Sequence, residues 1–310
     1  MEQQTSTRTQ AVLPASTHIG LAALTVADLG RSVRFYSQLL GLHQLGISEQ
    51  MGVLGTPDGK ALLALIQQDG ATPQPAYSTG LYHIAILFPS RLELARSLAR
   101  LVKARYRLDG ASDHLVSEAL YLSDPDGNGL ELYRDRPRDQ WPRLAGGRVA
   151  MGSDQLDVQQ LLDEGLQDPE SEPGIPDGTV IGHMHLRVAD MLKTAEFYGN
   201  VLGFDVIAEM PGALFVSAGG YHHHLGLNTW QSRGAPPPKE SVGLRFFTVQ
   251  LPDQVAVNKV RERVQAANIA IEQHSEDFAV RDPAGNTLLF TSNTITPVQM
   301  LNQEDLSELI

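Results

Sequence analysis

Two distant stretches of the chain repeat one another: LTVADLGRSVRFYSQLLGL at 24–42 and LRVADMLKTAEFYGNVLGF at 186–204 agree in order and spacing. A repeat of this kind constrains the architecture before any single residue is interpreted, because a duplicated unit must fold twice and bury its apolar face against its copies. Each copy opens on a short apolar alternation, Leu24 and Val26 or Leu186 and Val188, the two-residue period of a strand. Asp28 or Asp190 then stands where a helix needs its N-cap, and apolar residues at helical spacing run to Gly41 or Gly203, where the helix should stop. The segments TPDGKALLAL, SDPDGNGLELY and RDPAGNTLLF add tight turns ahead of apolar strands, the pattern of hairpins. The whole chain therefore reads as four βαβββ units, at roughly 19–67, 80–134, 180–229 and 242–292. The expected fold class is α+β, with two modules of two units each at 17–135 and 179–293. A linker with one short helix occupies 136–178, and a polar tail covers the surface at 294–310.

Composition narrows the chemistry. The 310 residues are 42% hydrophobic, enough for two ordinary cores. A net charge of -12 with no basic run disfavours phosphate backbones and anionic lipid, so no nucleic-acid partner and no membrane are expected. No apolar stretch approaches the ~20 residues of a bilayer span, and the start MEQQTSTRTQ lacks a signal-peptide core; the expected location is cytoplasmic. There is no cysteine, so any metal must sit on histidine, carboxylate or water.

Superposing the four units turns scattered histidines into a pattern. On the first strand, the apolar alternation aligns Leu21, His83, His183 and Phe246. On the last strand, counting four residues from the turn glycine (Gly59, Gly127, Gly220, Gly285) aligns Leu63, Glu131, His224 and Leu289. Units one and four are apolar at both places; units two and three are polar at both. A single strand histidine is usually a satisfied core or surface residue. Two imidazoles and one carboxylate on one face, however, form the donor set of non-heme Fe(II) and O₂ chemistry, and Mn(II) suits it as well. The stretch YHHHLGLN at 221–228 adds three adjacent histidines. Strand alternation would turn His222 and His224 inward and leave His223 facing away, as a structural or surface residue.

These residues resemble the vicinal oxygen chelate (glyoxalase/bleomycin resistance/dioxygenase) superfamily, and within it the extradiol ring-cleavage dioxygenases of the two-module catechol-2,3-dioxygenase kind. HLVSEALYLSDPDGNGLE matches the dioxygenase signature from His114 through Tyr121, Asp124, Pro125 and Gly127 to Glu131, with Ser112 departing from it two residues before the histidine. The resemblance implies two glyoxalase-like barrel modules. It also implies extradiol cleavage of a catechol by O₂ to a muconic semialdehyde-type product at an Fe(II) held by His83, His183 and Glu131. His224, in HHLGL, matches the acid–base histidine. Tyr121 and His114 would hydrogen-bond the substrate, with His222, Asn228 and Trp230 as further contacts.

One feature of the family's usual arrangement is missing: its three ligands come from units three and four, whereas unit four here offers only Phe246 and Leu289. A complete set therefore requires unit two to pack with unit three, and unit one with unit four, within a chain or across a homo-oligomer. Two rival readings remain. A glyoxalase-like lyase or isomerase would place a carboxylate at both last-strand positions, and a non-enzymatic small-molecule-binding protein would leave the polar set without a purpose. Whether His224 acts as an acid–base group or as a fourth ligand also stays open.

Overall fold

The structure, a computed structural model, describes residues 12–145, 149–168, 174–232 and 234–302. The polar start at 1–11 and the end of the tail at 303–310 lie outside the described residues. Unit one contributes β1 (His18–Val26), β2 (His43–Ile47), β3 (Met51–Gly55) and β4 (Ala61–Gln67); unit two contributes β5 (Gly80–Phe88), β6 (Gly110–Asp113), β7 (Ser117–Ser123) and β8 (Gly129–Asp135). Unit three contributes β9 (Val180–Arg187), β10 (Asp205–Met210), β11 (Ala213–Ser217) and β12 (Leu225–Asn228), and unit four β13 (Gly243–Gln250), β14 (Ile271–His274), β15 (Asp277–Arg281) and β16 (Thr287–Thr291).

These strands form two eight-stranded curled sheets. One runs β14-β15-β16-β13-β1-β4-β3-β2, the other β10-β11-β12-β9-β5-β8-β7-β6. Each sheet thus joins units from opposite halves of the chain: β1 lies antiparallel to β13, and β5 to β9.

The convex faces carry Leu24, Leu65, Ile84, Leu132, Met184 and Val249 into one apolar core, shared with the helices. Helices α1 (Leu29–Arg34) and α2 (Met191–Ala195) start on Asp28 and Asp190, whose side chains accept from backbone N–H groups of the first turn. Both then widen into a π-helical turn, Phe35–Leu39 or Glu196–Leu202.

The two concave faces differ in kind. That of units one and four is filled: Leu21, Ala23, Ala64, Phe246 and Leu289 pack together there with Met300 from the C-terminal helix Pro297–Asn302. The tail therefore does more than cover the surface, since Met300 is fully buried. β1 pairs Ala23 with Ala64, so the unit-one counterpart of Glu131 is Ala64; the expectation of Leu63 is corrected, because the register shift at Leu54/Gly55 moves the count from the turn by one. The concave face of units two and three holds polar residues and a cavity. Among the described residues no helix is long and apolar enough to cross a membrane.

Each half of the chain is stitched across the sheets by the same contact. Tyr36, in the first π-helical turn, donates to Asp124 (2.8 Å), which also accepts from the Asp126 and Asn128 backbone and thereby fixes the turn leading into β8. Tyr198 repeats this with Asp282 at 2.9 Å. Tyr36→Phe would leave a buried carboxylate one donor short, so we expect a loss of about 1–3 kcal/mol, read as a shift in the urea midpoint. An unchanged midpoint would show that the turn holds without the phenol.

Candidate active site

In the centre of the second sheet the antiparallel register sets His83 opposite His185 and Ala85 opposite His183. Alternate residues of a strand share a face, so all three histidines look into the concave side. β8 runs parallel to β5 with Glu131 opposite Ala85. The result is a convergence of three donor atoms. His83 Nε2 lies 3.3 Å from His183 Nε2, and Glu131 Oε2 lies 3.0 and 3.1 Å from the two imidazoles. All three side chains are buried.

Burial alone would raise the Glu131 pKa, but the two imidazoles outweigh it and hold the carboxylate well below its usual range. Burial drives His183 down to about 4, against the opposing pull of Glu131, so its ring is neutral at pH 7. Two imidazole nitrogens and a carboxylate oxygen converging on one point are the donor set of a shared cation. The separations suit such an ion: with arms of about 2.1 Å, neighbouring corners of an octahedron stand about 3.0 Å apart. The residues therefore fit a divalent metal of the nitrogen- and oxygen-binding kind.

A cavity of about 860 Å³ opens beside the cluster. Tyr82, Tyr121, Phe215 and Trp230 supply aromatic walls, and His114, His223 and Arg187 supply polar groups.

Comparison with known proteins bears on this geometry. The family model described as the Glyoxalase/Bleomycin resistance protein/Dioxygenase superfamily matches residues 18–132 and 180–290. The chain belongs to this superfamily. It is 45% identical over 278 residues to a protein of Bacillus subtilis (strain 168) named catechol-2,3-dioxygenase, covering 88% of this chain and 96% of that one. In fold it is similar to a putative dioxygenase of Bacillus subtilis subsp. subtilis str. 168 (TM-score 0.65, 12% identity, 97% of each chain). It is also similar in fold to glyoxalase I from Zea mays, with a TM-score of 0.52, 16% identity and 95% of each chain covered.

Within this member of the superfamily, the residues singled out from the sequence fall into three groups. His83, His183 and Glu131 come together as described. His114, Tyr121, His222 and Trp230 line the cavity. Tyr121 Oη lies 2.6 Å from His114 Nε2, while His114 Nδ1 donates to the Gly152 carbonyl at 2.8 Å. Burial, together with the Glu131 carboxylate close by, pushes the Tyr121 phenol well above 10, so it stays protonated and can donate.

Two residues are placed differently. Asn228 does not line the cavity. It is fully buried behind it, with Nδ2 2.9 Å from His185 Nε2 and Oδ1 accepting from the Trp230 N–H, so it holds two cavity residues rather than touching a substrate. His224 is also turned away: its Nδ1 accepts from the Ala218 N–H at 3.2 Å, and its ring lies against Tyr221. The cavity position belongs to His223, whose ring centroid is 4.1 Å from that of His183. The expected alternation fails for a local reason. Gly219 and Gly220 take left-handed φ of 62° and 67°, and β12 begins only at Leu225, so the three histidines lie in a turn where period two does not hold.

The same shift corrects the equivalence between Glu131 and His224. β12 sets Gly226 opposite His185 as β8 sets Glu131 opposite Ala85, so the unit-three counterpart of Glu131 is Gly226. A Cβ there would stand 2.9 Å from the His185 ring, so glycine is what admits that histidine. His185, Tyr82 and Phe215 were missed as site residues. For His185 the signal was present, because it stands two residues after His183 on the same strand.

Two outcomes follow from this geometry. Glu131→Gln removes the only anionic donor of the cluster, so the purified variant should retain far less divalent metal per chain than the wild type; full retention by metal analysis would remove Glu131 from the donor set. For His224, burial, reinforced by His222, lowers the pKa to about 3, whereas an unfolded histidine titrates near 6.5. The unfolded chain thus binds the extra proton between these values, and the stability this residue contributes is complete above pH ~6.5 and is lost as pH falls toward ~3. His224→Gln should flatten the urea-midpoint-versus-pH curve in that window; a curve parallel to the wild type would contradict the buried neutral ring.

Proposed function

We propose that the chain is an extradiol dioxygenase that cleaves catechol or a substituted catechol with O₂ at a mononuclear Fe(II) site. The observation that carries this reading is the cluster of two imidazoles and one carboxylate, with donor atoms 3.0–3.3 Å apart beside an aromatic-walled cavity. The name of the Bacillus subtilis relative supports the substrate class. The absence of a second carboxylate also favours it over a glyoxalase-like lyase or isomerase, since Gly226 fills the position that reading requires to be acidic. Mn(II) satisfies the same donors.

Both atoms of O₂ enter the product: a ring C–C bond beside the diol opens, leaving an aldehyde at one end and a carboxylic acid at the other. When bound by His83, His183 and Glu131, the metal supplies a Lewis acid that gathers catecholate and O₂ at one centre. One anionic donor against a divalent charge leaves the site net positive, which favours the ionised diol. His223 is the acid–base group in place of His224: burial and the neighbouring His183 and His222 hold its pKa well below the usual imidazole range, so it enters the cycle neutral. It takes a proton from a catechol hydroxyl and later returns one. Tyr121 and His114, hydrogen-bonded to one another, form the polar wall that meets the diol oxygens. Tyr82, Phe215 and Trp230 hold the ring and limit water.

The test is anaerobic reconstitution of the purified protein with Fe(II), or Mn(II) in parallel, followed by catechol and O₂. A yellow ring-cleavage product with one O₂ consumed per catechol is expected; intact catechol over a metal-loaded protein would overturn the assignment. His223→Phe should keep its iron and still bind catechol but turn over ~10²–10⁴-fold more slowly. Loss of iron in that variant would make His223 a ligand instead.

A further inference from the structure

His222 takes no part in that reaction, yet both of its ring nitrogens are engaged. Nε2 lies 2.9 Å from Asp135 Oδ1, and Nδ1 lies 2.9 Å from Nδ1 of His223. The ring is held between Tyr221 and Trp141, at centroid distances of 4.1 and 5.3 Å, with 1% of the side chain exposed. Asp135 is the last residue of β8, so the strand that places Glu131 also carries this carboxylate.

The proton positions follow from what each group can do. A carboxylate only accepts, so His222 Nε2 bears the hydrogen and donates to Asp135. A neutral imidazole has one N–H, which leaves His222 Nδ1 as a lone pair. The contact with His223 is then a hydrogen bond only if His223 donates from its own Nδ1. His223 Nε2 is thereby left bare, the form a proton acceptor needs.

We propose that Asp135 is a positioning residue that, through His222, fixes the tautomer of His223 so that a bare Nε2 is presented to the substrate. This deepens the acid–base reading of His223 and rests on it. An amide at position 135 can donate as well as accept. In Asp135→Asn the NH₂ group would donate to His222 Nε2, His222 would then donate from Nδ1, and His223 would be protonated at Nε2, where it blocks proton uptake. In the serine-protease triad, the same exchange of a buried Asp for Asn leaves geometry intact and lowers turnover by about 10⁴-fold through the wrong tautomer.

Two measurements test this. The first needs no turnover. In metal-free or zinc-loaded protein, ¹⁵N NMR of the histidine rings, assigned through His222→Gln and His223→Gln, should show His222 protonated at Nε2 and His223 at Nδ1, with both reversed in Asp135→Asn. The second uses the Fe(II)-loaded enzyme: Asp135→Asn should lose kcat by about tenfold or more while iron content and KM for catechol stay at wild-type values, and Asp135→Glu, which keeps the carboxylate, should recover most of the loss. Wild-type His223 protonated at Nε2, unchanged tautomers in Asp135→Asn, or a wild-type kcat in that variant would each overturn the proposal, as would a loss confined to iron content or KM. If the tautomers come out as stated but no metal supports ring cleavage, the reaction reading falls and the Asp135–His222–His223 hydrogen-bond order stands.

Discussion

The antiparallel pairing of β5 with β9 is the constraint on which the site depends. Residues 83 and 183 belong to different halves of the chain, and neither half alone offers two imidazoles and a carboxylate at the aligned positions. Backbone hydrogen bonding between these two strands fixes the register to single residues. Because a one-residue slip would send every side chain to the opposite face, the same register that buries Ile84, Ile86, Met184 and Leu186 in the core also turns His83, His183 and His185 toward the cavity. Core packing and donor placement are therefore one requirement, met by two alternating sets of residues.

The two sheets show how a duplicated fold separates scaffold from chemistry. In units one and four the concave face is closed by Phe246, Leu289 and the inserted Met300, and the buried Thr248 hydroxyl is satisfied there by the Leu21 N–H. In units two and three the corresponding space is lined by histidines and one glutamate. A buried carboxylate is costly unless it is paired, and here Glu131 is held ionised by the imidazoles around it. The filled sheet bears stability without chemistry, which leaves the other free to keep an open cavity and a crowded set of donors. The Tyr36–Asp124 and Tyr198–Asp282 contacts tie the helix of one sheet to the turn that feeds a last strand of the other, so the two are not independent.

Around the cluster, hydrogen bonds order the residues that face the cavity. Asn228 holds His185 and Trp230, the Gly152 carbonyl fixes His114, and Asp135 holds His222 against His223. Each is a group with defined donors and acceptors, so each sets the tautomer or rotation of its neighbour.

The sequence by itself determined the elements with a strong period or a fixed turn. The four units, the aspartate caps at Asp28 and Asp190, and the face on which His83, His183 and Glu131 lie were legible because they depend on residues two or four apart along one strand or helix. The signature through His114, Tyr121 and Glu131 was legible for the same reason, since it spans a single hairpin. What only the tertiary structure decided lies where the period is interrupted. In YHHHLGLN, strand alternation does not carry across a turn with two left-handed glycines. Alternation would put His224 in the cavity and His223 outside it, whereas the late start of β12 at Leu225 exchanges them. Counting from a turn glycine likewise missed Ala64 and Gly226 as the counterparts of Glu131, because equivalence is set by which residue a neighbouring strand places opposite, not by distance along the chain. The role of Asn228 needed its partners, and the link from Asp135 to His222 joins positions 87 residues apart that only the folded sheet brings together.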